Sequence, residues 1–256
     1  MENSVIVARN LSKTYTETVL KNIDLTIRQG EIIGYIGPNG AGKSTTIKIL
    51  TGIIPDFDGD VTVLGLDIRK QPVEVKKQIG YIPENAALYD TLTPLEYLYF
   101  IGQLYKMDLT VVDKKAKDLL ELFELSEHRD SRMTTFSKGM RQKVLLIAGM
   151  IHNPALLFLD EPLSGLDANA VILVKEILSQ LKHAGKTIFY SSHLMDVVEK
   201  ISDRIIIINK GEMIANGTFA ELNAQATGSL EKIFTDLTGN REHASAAGHF
   251  IDVLKS

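Results

Sequence analysis

Residues Gly37 to Ser44 carry the clearest chemical pattern in this chain. They read Gly-Pro-Asn-Gly-Ala-Gly-Lys-Ser and match G-x4-G-K-[ST], in which glycines let backbone N–H groups surround phosphate oxygens. The apolar run Ile32–Ile36 predicts a preceding strand, and a helix is expected to begin near Lys43, with its positive dipole end toward the phosphates. Lysine can reach the β and γ oxygens, and serine can ligate Mg²⁺. The pattern predicts a nucleotide phosphate site formed by Asn39, Gly40, Ala41, Gly42, Lys43, Ser44 and Thr45.

A second segment, Leu156–Glu161, is an apolar run that ends in two acids. Such a strand can direct one carboxylate at Mg²⁺ and the next at water. Asp160 is the predicted metal partner, through a water molecule, because Mg²⁺ keeps much of its hydration shell. Glu161 is the predicted general base. By itself the segment also fits a polar strand end that turns at Pro162, and the phosphate-binding pattern favours the metal site over that alternative.

Four weaker motifs accompany these two segments, and all six occur in an order known from one family. They are Tyr15, Phe136–Gln142, Ser164–Asp167 and Ser191–His193. Over nearly its full length the chain resembles the nucleotide-binding subunit of an ABC transporter. The resemblance implies that the protein binds and hydrolyses ATP with Mg²⁺. It also implies that two such subunits, identical or paralogous, sandwich two ATP molecules, each between the phosphate loop of one subunit and the signature turn of the other.

The resemblance also implies roles for residues outside the phosphate loop. Ser137 and the backbone of Gly139, in the signature turn, would donate hydrogen bonds to the γ-phosphate held by the partner. Asp167 would belong to a neighbouring nucleotide-contacting loop, His193 would contact the γ-phosphate, and Tyr15 would stack on adenine. The alternatives are an ordinary packing tyrosine at Tyr15 and a plain helix cap at Ser137.

Two positions depart from the family pattern. Glu84 stands where the family usually has glutamine. Its carboxylate is a possible Mg²⁺ ligand, but it also brings negative charge toward the γ-phosphate, where repulsion raises the energy unless a metal intervenes. Lys138 and Met140 stand where glycine and glutamine are commoner, and Lys138 is long enough to pair with a phosphate at the edge of the sandwich.

The alternation of short β-rich apolar runs with helical segments predicts an α/β fold. The expected architecture is a P-loop NTPase core with a parallel sheet, an N-terminal antiparallel β flap and an inserted α-helical subdomain. The core is assigned to residues 1–83 and 152–220, the helical subdomain to 84–151 and a C-terminal tail to 221–256. Strands are expected at Ile32–Ile36, Leu156–Asp160, Thr187–Ser191 and Arg204–Asn209, and helices at Leu95–Tyr105, Asp113–Leu125 and Lys138–Met150.

Composition excludes several classes of function. The 256 residues include no cysteine, which excludes disulfides and Cys-ligated metal sites. The formal net charge of −4 predicts no nucleic-acid partner. The first residues lack a secretory pattern, and the longest uncharged run, 144–159, is too short to cross a bilayer. The membrane-spanning part of a transporter is therefore expected on another chain.

The predicted function is that of an ATPase subunit at the cytoplasmic face of the cell membrane that powers a separate integral membrane permease. Similarity of the signature turn and of the tail Leu230–Gly239 to bacterial exporter ATPases favours export. The permease is expected to contact Asn85–Tyr89 together with Tyr97 and Phe100, although both aromatics also fit a subdomain core. Two rival functions are an ABC-type ATPase that drives a soluble assembly complex and a nucleotide-gated interaction subunit with weak hydrolysis, which Glu84 makes conceivable.

Overall fold

A six-stranded sheet forms the centre of the protein, in a computed structural model that describes residues 3–84, 88–225, 228–239 and 253–254. Its strand order is β10-β9-β3-β8-β7-β6, and only the β9–β10 pair is antiparallel. All residues of β3, β7 and β8 are buried, as expected for parallel strands covered on both faces. The strands are β3 (Ile32–Ile36), β6 (Ile79–Ile82), β7 (Leu156–Asp160), β8 (Thr187–Ser191), β9 (Arg204–Asn209) and β10 (Glu212–Gly217).

A second, four-stranded sheet is antiparallel and comes from the N-terminal part of the chain. Its order is β2-β1-β4-β5. This sheet is the predicted β flap, so the α/β fold with one parallel and one antiparallel sheet is confirmed. Its strands are β1 (Ser4–Thr14), β2 (Thr18–Arg28), β4 (Asp58–Val63) and β5 (Leu66–Asp67).

Of the three predicted helices, Lys138–Met150 has the predicted bounds, Leu95–Tyr105 is shifted by one residue to Pro94–Leu104, and Asp113–Leu125 ends three residues early at Leu122. The helix predicted at Asp113 begins four residues earlier, because Asp108 caps it by accepting hydrogen bonds from the backbone N–H groups of Thr110 and Val111. Between β6 and β7, the described residues form helices and turns only. The helices are α1 (Lys43–Leu50), α2 (Pro72–Lys76), α3 (Pro94–Leu104), α4 (Leu109–Leu122), α5 (Lys138–Met150), α6 (Ala168–His183), α7 (Met195–Ile201), α8 (Phe219–Gln225) and α9 (Leu230–Thr238).

Two hydrophobic clusters lie on opposite faces of the central sheet. Ile33 and Phe158 point to the face that carries α1 and the antiparallel sheet. Ile36 and Leu159 point to the face that packs against α3, α5 and α6. Because β8 pairs in parallel with both β3 and β7, the carboxyl ends of the three strands meet at one edge of the sheet.

None of the helices in the described part of the chain has the length and apolarity that crossing a membrane requires.

Candidate nucleotide site

A cavity of about 350 Å³ opens at the edge where β3, β7 and β8 end. It gathers residues that are far apart in sequence, since the phosphate loop follows β3, the two acids end β7 and His193 follows β8. Ten of the residues predicted for the site line this cavity: Asn39, Gly40, Gly42, Lys43, Ser44, Thr45, Glu84, Asp160, Glu161 and His193.

The phosphate loop is held in shape by its own backbone. Gly42 has a φ of 107°, and a Cβ there would lie 2.5 Å from Leu20 Cδ2, so only glycine fits. Lys43 is 8% exposed, and its Nζ donates hydrogen bonds to the carbonyl oxygens of Gly37 at 2.7 Å and Pro38 at 3.2 Å. The ammonium group is therefore kept at the loop by neutral acceptors that it can exchange for phosphate oxygens.

Ala41, also predicted for the site, has a different environment. Its side chain is buried in the apolar core beneath the loop, and its N–H donates to the Pro38 carbonyl at 3.1 Å. It supports the loop from below and does not line the cavity.

The two acids at the end of β7 have different surroundings. Asp160 is 3% exposed, and its Oδ1 accepts a hydrogen bond from Ser191 Oγ at 2.5 Å. Glu161 adopts a positive φ of 52°, and its N–H donates to the Ser191 carbonyl at 3.1 Å. The Glu161 Oε2 accepts from the His193 backbone N–H at 3.3 Å. The Glu161 Oε1 is buried without a hydrogen bond from the described residues, and His193 Nε2 lies 3.4 Å away.

Burial sets the protonation of the cavity. The pKa of Glu161 is raised to about 7, mainly by burial and also by the charges of Asp160 and Glu84, while the His193 N–H and Lys43 oppose the rise. Burial also lowers the pKa of His193, which is therefore neutral at pH 7, and that of Lys43. A carboxylate with a pKa near the working pH is suited to general base catalysis.

The oxygen atoms in the cavity fit Mg²⁺. Ser44, Glu84 and Asp160 present a hydroxyl and two carboxylates, the hard donors that this ion prefers. No group of three or more His, Asp or Glu side chains within the described ranges is arranged to hold a metal by itself. At nucleotide sites Mg²⁺ is usually held by one or two carboxylates together with substrate phosphates and water.

Ser137, Gly139 and Asp167 lie outside the cavity, in a second cluster. Ser137 caps α5 by accepting from the Met140 N–H at 3.2 Å, and Asp167 caps α6 by accepting from the Ala170 N–H at 2.9 Å. A Cβ on Gly139 would lie 2.6 Å from the Gly165 carbonyl oxygen, so the two caps are packed closely together. Within one subunit these residues are positioned by each other and not by the phosphate loop.

Tyr15 also lies outside the cavity lining. Its ring is 54% exposed, and Lys13 Nζ lies 4.7 Å from the ring centroid, in a cation–π contact. Lys13 is itself 4% exposed and pairs with Asp56 at 2.8 Å. The ring is thus anchored on a buried cation and remains available for stacking.

Three contacts at the site were not predicted from the sequence. Val19 lines the cavity from β2, and nothing in its sequence context distinguishes it from other strand valines. Lys13 acts on Tyr15 through the fold. Ser191 had a usable signal, since a polar residue ends the apolar strand Thr187–Ser191 and parallel pairing sets it opposite Asp160.

Comparison with known proteins gives the same assignment as the geometry. The family described as ABC transporter matches residues 20–164. The linearmycin resistance ATP-binding protein LnrL of Bacillus subtilis (strain 168) is 40% identical over 225 residues, which cover 88% of this chain and 72% of that protein.

Solved structures show the same fold. An ATP-binding subunit of an ABC transporter matches with a TM-score of 0.86 and 32% identity, covering 91% of this chain and 99% of that one. The ATP-binding cassette MJ0796, solved as a dimer in a post-hydrolysis state with ADP and Pi, matches with a TM-score of 0.78 and 25% identity, over 83% of this chain and 98% of that one.

The family match covers more than half of the chain and includes the phosphate loop and both acids. Similarity to LnrL covers 88% of the chain, and similarity to the solved ATP-binding subunit covers 91% of it. The chain belongs to the ABC transporter family, as an ATP-binding subunit that hydrolyses ATP.

Proposed function

We propose that this subunit powers export through a separate integral membrane permease, at the cytoplasmic face of the membrane. The observation that carries the ATP-driven part is the single cavity that brings Lys43, Asp160, Glu161 and His193 together. Affinity purification of the tagged protein from detergent-solubilised membranes tests the rest. Recovery of an integral membrane chain that stimulates ATPase supports the proposal, whereas recovery of a soluble complex alone would favour the rival function in assembly.

Each cavity residue has a role that its surroundings explain. Lys43 exchanges the carbonyls of Gly37 and Pro38 for the β- and γ-phosphate oxygens, because a phosphate attracts the ammonium more strongly than neutral carbonyls do. Glu161 accepts a proton from the attacking water, and His193 contacts the γ-phosphate. Ser44, Asp160 and Glu84 would hold Mg²⁺, which when bound neutralises phosphate charge.

The proposed base predicts how the rate depends on pH. Glu161 must be ionised to accept a proton, and its pKa is about 7, so kcat/KM for ATP hydrolysis should rise with pH and reach half its maximum near pH 7. Steady-state rates between pH 5.5 and 9 check this expectation. A rate that is already at its plateau at pH 5.5, as an ordinary glutamate with a pKa of about 4.3 would give, would contradict it.

Replacement of Glu84 by glutamine tests the departure from the family pattern. The Glu84 carboxylate is one of the charges that raise the pKa of Glu161, so Glu84→Gln should move the midpoint of the pH profile to lower pH. The variant also replaces an anionic oxygen that could bind Mg²⁺ with a neutral amide oxygen. A higher Mg²⁺ concentration should therefore be needed for the half-maximal rate. Protonation of ATP in solution would not change with this substitution. A shifted midpoint in the variant would therefore assign the pH profile to a group of the protein and not to ATP. Curves that superimpose on wild type would place Glu84 outside the site's electrostatic reach.

A second nucleotide-binding subunit completes the proposed machine. Ser137 and Asp167 cap α5 and α6, Gly139 lies in the first turn of α5, and none of the three lines the cavity of its own subunit. The dimer of the cassette MJ0796 supports pairing, in which these caps would meet the nucleotide of the other subunit. The partner is an identical chain or a paralogue.

The proposed permease surface lies next to Glu84. Asn85 to Ala87 lie outside the described residues. Tyr89 is 60% exposed and contacts Phe100 edge to face, with ring centroids 5.5 Å apart. Tyr97 is buried in the core, as one alternative held, and it also lines an apolar groove of about 340 Å³ with Ile53, Tyr81, Ile101, Tyr105, Leu145 and Ala148. Aromatic residues are enriched among those that dominate the energy of protein interfaces.

Loss of the exposed aromatic should separate association from hydrolysis. Tyr89→Ala should weaken permease binding by about 1–2 kcal/mol, because aromatic anchors dominate such interfaces, while the basal ATPase persists. Co-purification in detergent and ATPase rates with and without the permease measure both properties. Ile172→Ala removes a similarly exposed apolar side chain from α6 and serves as the control. Full association and stimulation in the Tyr89 variant would move the coupling surface elsewhere.

Export is favoured over import by the relative LnrL, whose name states resistance to linearmycin. A resistance function is consistent with removal of a compound from the cell. ATP-dependent accumulation in inverted membrane vesicles, compared with right-side-out vesicles, measures the direction.

A further inference from the structure

Lys138, at the first position of α5, contacts the loop that follows Glu161. Its Nζ donates a hydrogen bond to Ser164 Oγ at 2.7 Å. Its aliphatic part covers Gly165, where a Cβ would lie 2.9 Å from Lys138 Cδ. Gly165 has a φ of 78° and leaves room for the lysine to cross the loop. Within the subunit, the lysine that replaces the commoner glycine thus has a defined partner on another loop.

The rest of this contact is tightly packed. The Gln142 side chain is 3% exposed, and its Nε2 donates to the Pro162 carbonyl at 3.0 Å. Lys143 Nζ lies 3.5 Å from Asp167 Oδ2. The first two turns of α5 therefore contact both ends of the loop formed by residues 162–167, through Gln142 and Lys143. Lys138 contacts the middle of this loop at Ser164.

The loop in turn sets the conformation of Glu161. The Ser164 N–H donates to the Glu161 carbonyl at 3.1 Å, and this turn fixes the backbone on the C-terminal side of Glu161. Glu161 has the positive φ of 52°, a conformation that costs energy for a residue with a side chain and persists only when neighbours hold it. Two hydrogen bonds therefore connect the Lys138 ammonium, through Ser164, to the backbone of Glu161.

We propose that Lys138 is a positioning residue that acts through Ser164 on Glu161, and so joins the signature turn to the hydrolytic edge of the same subunit. The inference rests on the role proposed for Glu161. It is an alternative to the expectation that Lys138 pairs with a phosphate, and the experiment below distinguishes the two. When the signature turn engages the nucleotide of the other subunit, the contact transmits its position to the base of its own site.

Rates reveal this role better than stability does, because an exposed lysine contact contributes little to folding. The experiment measures kcat and KM for ATP on the full chain for Lys138→Met, Ser164→Ala, the double variant and Lys138→Arg. Lys138→Met keeps the aliphatic cover on Gly165 and removes only the donor. Lys77→Met, which removes an exposed lysine paired with Glu74, is the matched control. Circular dichroism and the melting temperature verify that each variant folds.

Lys138→Met and Ser164→Ala should each lower kcat about fivefold, the effect of one lost hydrogen bond, with KM unchanged. The double variant should be no slower than either single variant, and Lys138→Arg should recover part of the rate. The proposal would be overturned if the losses of kcat in the two single variants multiplied in the double variant. It would also be overturned if kcat were unchanged in the single variants. A raised KM in Lys138→Met with wild-type behaviour in Ser164→Ala would show a phosphate contact instead. Glu161→Gln in the same assay separates this proposal from the one for Glu161. A parental rate in that variant would refute Glu161 as the base. The coupling between Lys138 and Ser164 is measured independently, by comparing the two single variants with the double variant.

Discussion

Glu161→Gln should bind ATP as the parent does and hydrolyse it about 10²–10⁴ times more slowly. The amide keeps the shape and the oxygen that accepts the His193 N–H, but it cannot take a proton from water. Burial raises the pKa of Glu161 because it destabilises the charged carboxylate. Glutamine is neutral, so its burial in the ligand-free cavity does not carry the cost of burying a charge. Binding and hydrolysis are therefore expected to separate in this variant.

Nucleotide titration and phosphate release measure the two properties on the same preparation. Glu176→Gln removes an exposed carboxylate from α6 that does not line the cavity, and is the matched control. Hydrolysis at the parental rate in Glu161→Gln would show that another group activates the water.

Lys43→Ala should weaken ATP binding about 10²-fold or more. The buried ammonium is the positive charge that the structure places in the cavity lining, beside the carboxylates of Asp160, Glu161 and Glu84. Without it the phosphates would meet three carboxylates with no compensating side-chain cation from that lining, and removal of one partner of a buried charge pair costs several kcal/mol.

The control for this variant is Lys48→Ala, an exposed lysine on the same helix. Lys43→Met keeps the aliphatic chain and separates loss of charge from loss of packing in the loop. Fluorescent nucleotide titration with unchanged affinity in both Lys43 variants would remove the lysine from the phosphate site.

Most of the sheet could be predicted from sequence because buried parallel strands are continuous apolar runs. The bounds of β3, β7, β8 and β9 agree with prediction residue for residue. The start of α4 could not be predicted from periodicity, since the deciding interaction is the local cap made by Asp108.

The phosphate loop and the two acids could also be predicted, because each occupies a short, ordered segment. The hydrogen bond from Ser191 to Asp160 and the contact of Lys138 with Ser164 depend on which loops the fold brings together. Glu161 owes its raised pKa to burial, which no local pattern reports. The roles proposed for Tyr15, Ser137, Gly139 and Asp167 concern a nucleotide shared with a second subunit and stay predictions.

The nucleotide bound to Glu161→Gln tests the central claim most directly. The purified variant would be mixed with ATP and Mg²⁺ and separated by gel filtration, and the nucleotide in the dimer fraction would be identified by chromatography. We expect a dimer that contains intact ATP, one molecule per subunit, and no such dimer from the Lys43→Ala, Glu161→Gln double variant. ADP in the dimer fraction, or an equally abundant dimer without Lys43, would contradict a site in which Lys43 binds the phosphates and Glu161 activates the water.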